Sequence, residues 1–448
     1  MASHVLIFDI GKTNKKVLVL NEEYQLVYEL SEELPQTTDE DGFPCEDIIR
    51  LKVWVLGKFS ELTKKKDLNI RAINFSGYGA SFVLLNNGGK TLAPVYNYLK
   101  PFSNSTRDRF MEKYDDTLSI SLETHSPWLG NLNSGLQLFA LQYERPEFYK
   151  NIKRALHLPQ YLSFILSNEY HSELTSLGCH TLLWDFKNNN YHPWVLKEKI
   201  DLLFPANTST HHTIRKKIDH KMYSLGIGIH DSSAALVPYF MLRKNPFILL
   251  STGTWSIALN PFEHTDLSEY ELHQDCLSYM SFKGSPVKAS RLFLGHEHQE
   301  ETARIANQFQ INSNFYEGIR YIPDINLMNE NIYFIGENGL VKSGFEKRDL
   351  STFENEVVAY HQLIHDFVTT QLHSIALINS LNTEMDLLVD GGFAKNEIFM
   401  SLLSKYLPRW HVYSAEVPQA SAIGAAMVIH QAWNSKEINQ NLLQVRRY

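Results

Sequence analysis

One pattern occurs near the start of each half of this chain, and it limits the folds open to it. At the N-terminus VLIFDIGKTNKKVLVLN supplies an apolar strand at 5–8, the run Asp9-Ile10-Gly11-Lys12-Thr13, and a second strand at 17–20. Past the midpoint FILLSTGTWSIALN supplies a strand at 247–250, then Ser251-Thr252-Gly253-Thr254, then a strand at 255–259. Each is a hairpin whose turn offers glycine, hydroxyls and free backbone N–H groups, the chemistry that holds phosphate. A repeat of this kind is a duplication of whole domains rather than of small units. Two such turns facing one cleft would clamp a nucleotide tail from both sides, which points to phosphoryl transfer.

The 448 residues are enough for two domains, each with its own core. Arg243-Lys244-Asn245-Pro246 breaks the pattern, so the expected domains are 1–243 and 244–448. Strands are expected at 5–10, 16–21, 26–32, 71–75 and 81–85, the last turned by Asn86-Asn87-Gly88-Gly89. A helix is expected over 45–65, where Ile48, Ile49, Val53, Leu56 and Phe59 recur at near-helical spacing, and 102–186 reads as mostly helical. In the second half helices are expected at 288–308, 352–382, 396–406 and 420–433, with strands at 386–389 and 411–415.

Composition narrows the function. The net charge of −8 argues against a nucleic-acid or membrane-surface partner, which would call for a basic face. Cys45, Cys179 and Cys276 are far apart and form no CxxC pair, so reduced, buried thiols of a cytoplasmic protein are expected. No apolar run approaches membrane-spanning length, and Asp9 interrupts the first one too early for a signal peptide.

Four other motif readings fail. A haloacid-dehalogenase loop needs a carboxylate where Gly11 stands, and no GxxxxGK[ST] precedes a helix. Gly226-Ile227-Gly228 lacks the third glycine and the strand–helix frame of a dinucleotide fold. His296-Glu297-His298 looks like a ligand cluster, but residues two apart on a helix do not share a face.

Several residues carry two readings. Asp231 precedes a helix start at Ser232-Ser233-Ala234, so it is a general base for a hydroxyl acceptor or a helix cap, and one residue can be both. Asp9 is a magnesium-associated carboxylate acting through water, or an Asx turn closing the hairpin. Gly11, Thr13 and Asn14 offer donors to phosphate, and Lys12, Lys15 or Lys16 offer charge or a solvated surface. Thr252, Gly253 and Thr254 are the opposing phosphate turn or an ordinary glycine turn. Asp390-Gly391-Gly392 gives a flat base and ribose room against backbone, with Asn396 bonding the base or capping a helix. Ser421-Ala422 and Gly424-Ala425-Ala426 read as a close-packing helix face.

Five collinear segments give these readings a common frame: FDIGKTN at 8–14, GIHDSSAALVP at 228–238, LLSTGTWS at 249–256, LLVDGGFAKNEIF at 387–399 and EVPQASAIGAAM at 416–427. In them the chain resembles the FGGY carbohydrate kinases, and SGYGASFVLLNNGGKTLAPVYNY at 76–98 is most similar to the rhamnulokinase branch. The resemblance implies an α/β fold of two ribonuclease H-like domains of the actin/sugar-kinase type, with a nucleotide cleft between them. It implies a cytoplasmic, ATP- and magnesium-dependent kinase whose partner is a small-molecule sugar, a ketose such as L-rhamnulose or L-fuculose, and no particular oligomeric state. Asp231 then becomes the catalytic base, and Asp9, Gly11, Lys12, Thr13, Asn14, Thr252, Gly253, Thr254, Gly391, Gly392 and Asn396 line the nucleotide. Gly77, Tyr78, Gly79, Ser81, Phe82 and His230 align with the sugar side, while Asn97-Tyr98-Leu99-Lys100 lacks the Asp-x-Arg pattern of many relatives.

Overall fold

The computed structural model describes residues 2–114, 116–328, 333–336, 340–380 and 384–448. The chain separates into two compact units. The first comprises Met1–Leu242, Ser278–Pro286 and Val417–Leu442, the second Arg243–Leu277, Val287–Glu416 and Leu443–Tyr448. The chain thus first leaves the first unit next to the expected break, and two later segments return to it.

In the first unit β1 (His4–Ile10), β2 (Asn14–Asn21) and β3 (Leu26–Glu33) form an antiparallel meander, followed by α1 (Ile48–Thr63) and β4 (Ile70–Gly77). β4 lies parallel to β1, with Phe8 opposite Phe75 and Asp9 opposite Ser76. Val5, Leu6, Ile7 and Phe8 are all buried, as a strand covered on both faces requires. Asp47 caps α1 by accepting from the Ile49 and Arg50 amides. Only one stripe of α1 is covered: Ile48, Leu51, Val55 and Leu62 are buried, whereas Ile49 and Val53, expected on the apolar face, stand exposed.

β5 (Phe82–Leu85) pairs with β6 (Arg154–His157), a strand inside the stretch expected to be helical, and α2 (Leu158–Ser167) follows directly. The Asn86–Gly89 turn forms, but beyond it only Leu85 and Thr91 bridge, so the main partner of β5 comes from far along the chain. β7 (Thr213–Ile218), β8 (Lys221–Gly226) and β9 (Ile229–His230) lead into α3 (Asp231–Leu242), with β8 and β9 both parallel to β4.

The second unit repeats the core of this plan. β10 (Phe247–Thr252) is antiparallel to β11 (Ser256–Asn260), and β12 (Pro286–Leu292) continues the sheet beside β11. The helix expected from 288 begins at Leu294 instead (α4, Leu294–Phe309), because 288–292 are taken by β12. α5 (Glu356–Leu377) precedes β13 (Asp386–Gly391), and the expected end of its helix at Asn382 lies outside the described residues. α6 (Glu397–Tyr406), β14 (His411–Glu416) and β15 (Gln444–Arg447) complete the unit. β13 is parallel to both β10 and β14, as β4 is to β1. Leu363 and Phe367 of α5 and Ile398 and Leu402 of α6 share one core with Leu250 and Val389 of the sheet.

α7 (Ala420–Val428) belongs to the first unit and packs on α3. A Cβ on Gly424 would stand 1.8 Å from the Ala234 carbonyl oxygen, so the small-residue face is what lets the two helices approach. Asn74 of β4 secures α7 by donating to the Ala425 carbonyl at 2.7 Å. Among the described residues no helix is long and apolar enough to cross a membrane.

Candidate active site

Three parallel strands of the first unit end side by side. Asp9 of β1 is opposite Ser76 of β4, Ser76 is opposite Ile229 of β9, and Gly77 is opposite His230. The carboxyl ends of parallel strands are where α/β sheets gather ligand-binding loops. Here they bring Asp9, the 77–79 turn and the start of α3 together, although these segments are far apart in sequence.

The segment leading to Asp231 is fastened from several sides. Gly228 has φ +87° and would put a Cβ 2.4 Å from the Pro159 carbonyl oxygen, so no other residue fits there. Its N–H donates to Asn74 Oδ1 at 3.2 Å, and Gln160 Nε2 donates to its carbonyl at 3.1 Å. Ser163 Oγ donates to the Gly226 carbonyl at 2.7 Å.

Asp231 Oδ1 accepts from the Ser232 amide at 2.7 Å and from Ser232 Oγ at 3.4 Å. That is the next residue's amide, not the amide two or three places on that a capping side chain takes. The carboxyl is crowded by protein yet keeps 34% of its side-chain surface open. Burial pushes its pKa up to about 6 against the opposing Ser232 hydrogen bonds. His230 is buried, with Nε2 3.1 Å from Cys179 Sγ and 3.3 Å from Asp231 Oδ1. Burial pushes its pKa down to about 4, so the ring is neutral at physiological pH.

Asp9 Oδ2 accepts from Ser421 Oγ of α7 at 2.7 Å. Burial raises its pKa, the Ser421 and Ser76 hydroxyls oppose that, and the charge of Asp231 adds to it. The adjoining turn is closed by its own groups: the Gly11 N–H donates to the Asn14 carbonyl at 3.0 Å. Lys15 Nζ donates to the Gly11 and Lys12 carbonyls at 3.2 and 3.0 Å and pairs with Glu46 at 2.7 Å, with both partners buried. Lys15 is therefore a structural cation, and Lys16 Nζ is held by Gln419 Oε1 at 2.9 Å. The Lys12 ammonium lies 4.9 Å from the centre of the Tyr98 ring and 5.4 Å from that of Tyr78. Thr13 and Asn14 are exposed.

The sugar-side residues fall into two groups. Gly77 and Gly79 are spacers: a Cβ would stand 3.2 Å from Pro159 at the first and 2.7 Å from His230 Nε2 at the second. Tyr78, Ser81 and Phe82 are buried. The Tyr78 hydroxyl donates to Glu46 Oε2 at 3.4 Å, and Phe82 packs on His157 and Phe204 in a core of the first unit.

In the second unit the corresponding loops are stitched together. Thr252 Oγ1 donates to the Asp390 carbonyl at 2.6 Å and accepts from the Phe393 amide at 3.0 Å, so its hydroxyl positions the 390–393 loop. The Gly253 N–H donates to the Trp255 carbonyl, the Gly392 N–H to the Thr252 carbonyl, and the Gly391 N–H to Asp390 Oδ1. The glycine amides expected to stand free are thus spent inside the turns, in both units. Thr254 remains exposed.

Beside these loops is a cavity of about 470 Å³ walled by Gly392, Phe393, Asn396, Tyr360, Tyr316 and His298. Tyr316 and Tyr360 stack at 5.7 Å. Asn396 caps α6 through Oδ1, which accepts from the Phe399 amide at 3.0 Å, and its Nδ2 donates to the Tyr360 hydroxyl at 2.8 Å. Both sequence readings of Asn396 leave it at this cavity. His298 Nε2 lies 3.1 Å from the same hydroxyl, whereas His296 faces Glu300 at 3.3 Å, so the two histidines serve different surroundings. Among the described residues no group of three or more His, Cys, Asp or Glu side chains is placed to hold a metal ion.

Four features escaped sequence reasoning: Ser421 on Asp9, the Lys15–Glu46 pair, the Tyr360–His298 wall, and Gly295. A Cβ on Gly295 would stand 1.9 Å from the Gly253 carbonyl oxygen. Only Ser421 had a signal, as the polar member of a small-residue stretch.

Two family models match the chain. Residues 4–203 match the FGGY family of carbohydrate kinases, N-terminal domain, and 244–437 match carbohydrate kinase FGGY, C-terminal domain. The rhamnulokinase of Halalkalibacterium halodurans is 25% identical over 272 residues, which are 57% of this chain and 56% of that protein. The match thus spans little more than half the length of that relative. A carbohydrate kinase from Novosphingobium aromaticivorans has a similar fold, with TM-score 0.79 at 21% identity over 100% of this chain and 94% of that one. Ligand-bound xylulose kinase from Lactobacillus acidophilus gives TM-score 0.78 at 14% identity, covering 100% and 93%.

Proposed function

This chain belongs to the FGGY family of carbohydrate kinases, and from that premise we propose that it is an ATP-dependent sugar kinase of the cytoplasm. It transfers the terminal phosphoryl group of ATP to a hydroxyl of a ketose such as L-rhamnulose or L-fuculose. The observation that carries the reading is Asp231: a carboxylate that keeps 34% of its side-chain surface open at the joined ends of β4 and β9, with its pKa pushed up to about 6. Such a group is ionised at neutral pH yet basic enough to take a proton from an alcohol. Similarity to a rhamnulokinase supports the ketose.

In this proposal the first unit, built on Met1–Leu242, is the sugar side, and the second, built on Arg243–Leu277 and Val287–Glu416, binds ATP. Asp231 Oδ2 takes the acceptor's hydroxyl proton, because Oδ1 is occupied by Ser232. The turns at Gly77 and Gly79 flank the acceptor, and the Lys12 ammonium beside Tyr98 adds positive charge. Thr13, Asn14 and Thr254 are the exposed polar groups offered to the phosphates, on turns whose shape Gly11 and Gly253 set. The aromatic cavity at Gly392 and Asn396 suits a flat base, and Gly391 shapes the turn that leads into it. Asp9 is the carboxylate suited to hold magnesium through water, and the ion would supply positive charge to the phosphate oxygens. The environment of Asp9 fits that duty: Ser421 donates to one oxygen, and burial leaves the carboxyl in want of a cation.

The Lys100 ammonium is tied to Asp39 and Asp41 at 2.6 and 2.5 Å, which keeps it from the acceptor and favours a contact set unlike that of Asp-x-Arg relatives. The test is ATP consumption over a panel of ketoses, pentuloses, polyols and sugar acids. Ketose-dependent turnover is expected. Failure of every acceptor, with ATP still bound, would make the chain a non-catalytic sensor of the same fold.

A further inference from the structure

Of the run His296-Glu297-His298, His298 alone lines the aromatic cavity among the described residues. Its ring packs edge to face with Tyr316 at 4.9 Å and with Phe393 at 5.6 Å, and its Nε2 makes a hydrogen bond of 3.1 Å with the Tyr360 hydroxyl. Burial pushes its pKa down to about 4, so the ring is neutral at physiological pH and carries one N–H. Which nitrogen bears that proton decides what the ring offers a ligand.

A chain of hydrogen bonds that begins at a backbone amide makes the choice. The Phe399 N–H can only donate, so the Asn396 atom that receives it at 3.0 Å is Oδ1. The other end of that amide is Nδ2, which donates to the Tyr360 hydroxyl at 2.8 Å. Tyr360 is buried, so its own O–H requires an acceptor, and His298 Nε2 is within reach. A proton on Nε2 would aim two donors at one phenol oxygen and leave the Tyr360 O–H without an acceptor among the described residues. With Nε2 as acceptor every contact in the chain is satisfied, and the imidazole proton sits on Nδ1. Among the described residues Nδ1 makes no hydrogen bond, and the ring that carries it is partly exposed in the cavity wall.

We propose that His298 is a nucleoside-binding residue whose Nδ1–H donates to an unprotonated ring nitrogen of the purine, with Tyr360 and Asn396 as the positioning residues that set its tautomer. The inference rests on the kinase reading, which gives this cavity to the base of ATP. Aromatic walls such as Tyr316 and Tyr360 stack on any flat base and do not tell one from another. A fixed donor reads the edge of the base, where adenine carries lone pairs on N1, N3 and N7. An analogue with C–H at the matching place leaves the Nδ1–H facing carbon, and binding weakens by the lost hydrogen bond. The charged side chains at the cavity, Glu317, Arg320, Lys395 and Glu397, are all exposed, where water competes for them. His298 offers its donor from the wall.

The experiment measures, by calorimetry without any acceptor, the binding of ATP and its 1-deaza, 3-deaza and 7-deaza analogues to the full chain, to His298→Phe and to Tyr360→Phe. Long-range proton–nitrogen NMR reads the His298 tautomer in the wild type. Expected are an Nδ1–H tautomer and one deaza analogue bound roughly three- to tenfold more weakly than ATP. His298→Phe, which keeps a ring and loses the donor, should bind that analogue and ATP alike. Tyr360→Phe, which keeps His298 but frees its tautomer, should narrow the difference. An Nε2–H tautomer, equal wild-type affinity for ATP and all three analogues, or undiminished discrimination in either variant overturns the proposal. Should the variants fail to fold, the wild-type tautomer and analogue series decide. Discrimination among the nucleotides without acceptor-dependent ATP consumption would instead defeat the kinase reading and leave the His298 contact standing.

Discussion

Gly391 and Thr252 lie so close that a Cβ on Gly391 would stand 1.8 Å from the Thr252 carbonyl oxygen. Gly391 also has φ +91°, which a side chain disfavours. Gly391→Ala must therefore part β10 from β13 where the 390–393 loop leaves the sheet, at a cost of about 2 kcal/mol or more. The expected result is at least a tenfold rise in the KM for ATP with a lowered Tm. Calorimetric ATP titration and a thermal melt check it, and a variant with normal ATP affinity would remove this contact from the nucleotide site.

Asp231→Asn keeps the shape of the base and removes its basicity. A fall in kcat of roughly 10²- to 10⁴-fold is expected, with acceptor binding still measurable. The stability effect runs the other way. The folded-state pKa, about 6, lies above the unfolded value of 3.8, so the folded state binds the proton more tightly. Ionisation thus penalises the fold, with no penalty below about pH 3.8 and the whole of it above about pH 6. The Asn variant should melt higher than wild type at pH 7.5 and level with it near pH 4. A lower Tm at pH 7.5 would contradict the assigned shift.

The contrast between these two residues shows what sequence patterning can reach. The place of Asp231 at the start of a helix was legible, because the small polar run that follows it is a local signal. The hairpin at the head of each half was also legible, since apolar runs and glycine turns report local geometry. The partners of those residues were not. Ser421 reaches Asp9 across 412 positions, and Lys15 was one of three lysines in a turn until burial beside Glu46 set it apart. Tyr78, Ser81 and Phe82 aligned with the sugar side through the family resemblance, and a resemblance does not report that all three side chains are buried. The run 288–292 read as helix because its pairing partner β11 lies some thirty residues back.

Lys15 and Glu46 form a buried pair, and Lys15 also holds two carbonyls of the first phosphate turn. Lys15→Met leaves the Glu46 carboxylate buried without its counter-charge, a change that costs about 3–5 kcal/mol. Scanning calorimetry should show the transition of the first unit lowered by roughly 10 °C. Adding Glu46→Gln should recover part of that loss, since an amide is cheaper to bury than an unpaired charge. A double variant no more stable than Lys15→Met would mean that the turn contacts, not the pair, carry the energy.

Asn396 has separable duties, because Oδ1 caps α6 and Nδ2 serves the Tyr360 hydroxyl in the cavity wall. Asn396→Asp preserves the cap and loses the amide donor. The KM for ATP is expected to rise about tenfold while the acceptor KM and the Tm hold steady, the signature of a lost nucleotide contact. If the acceptor KM moves instead, the aromatic cavity is not the nucleoside site.

Ser421 donates to Asp9, and the donation favours the ionised carboxylate against a burial that raises its pKa. Ser421→Ala removes the donor, so the Asp9 pKa rises further and protons compete better for the carboxylate. Magnesium activation should then weaken most where protons are plentiful. The activation constant is expected to rise more at pH 6 than at pH 8, because protons compete more strongly for the carboxylate at the lower value. Ser421→Thr, which retains the hydroxyl, should behave as wild type at both values. The check is a magnesium titration of initial rates at the two pH values. An activation constant raised equally at both would point to displaced geometry at Asp9 and discard the protonation argument.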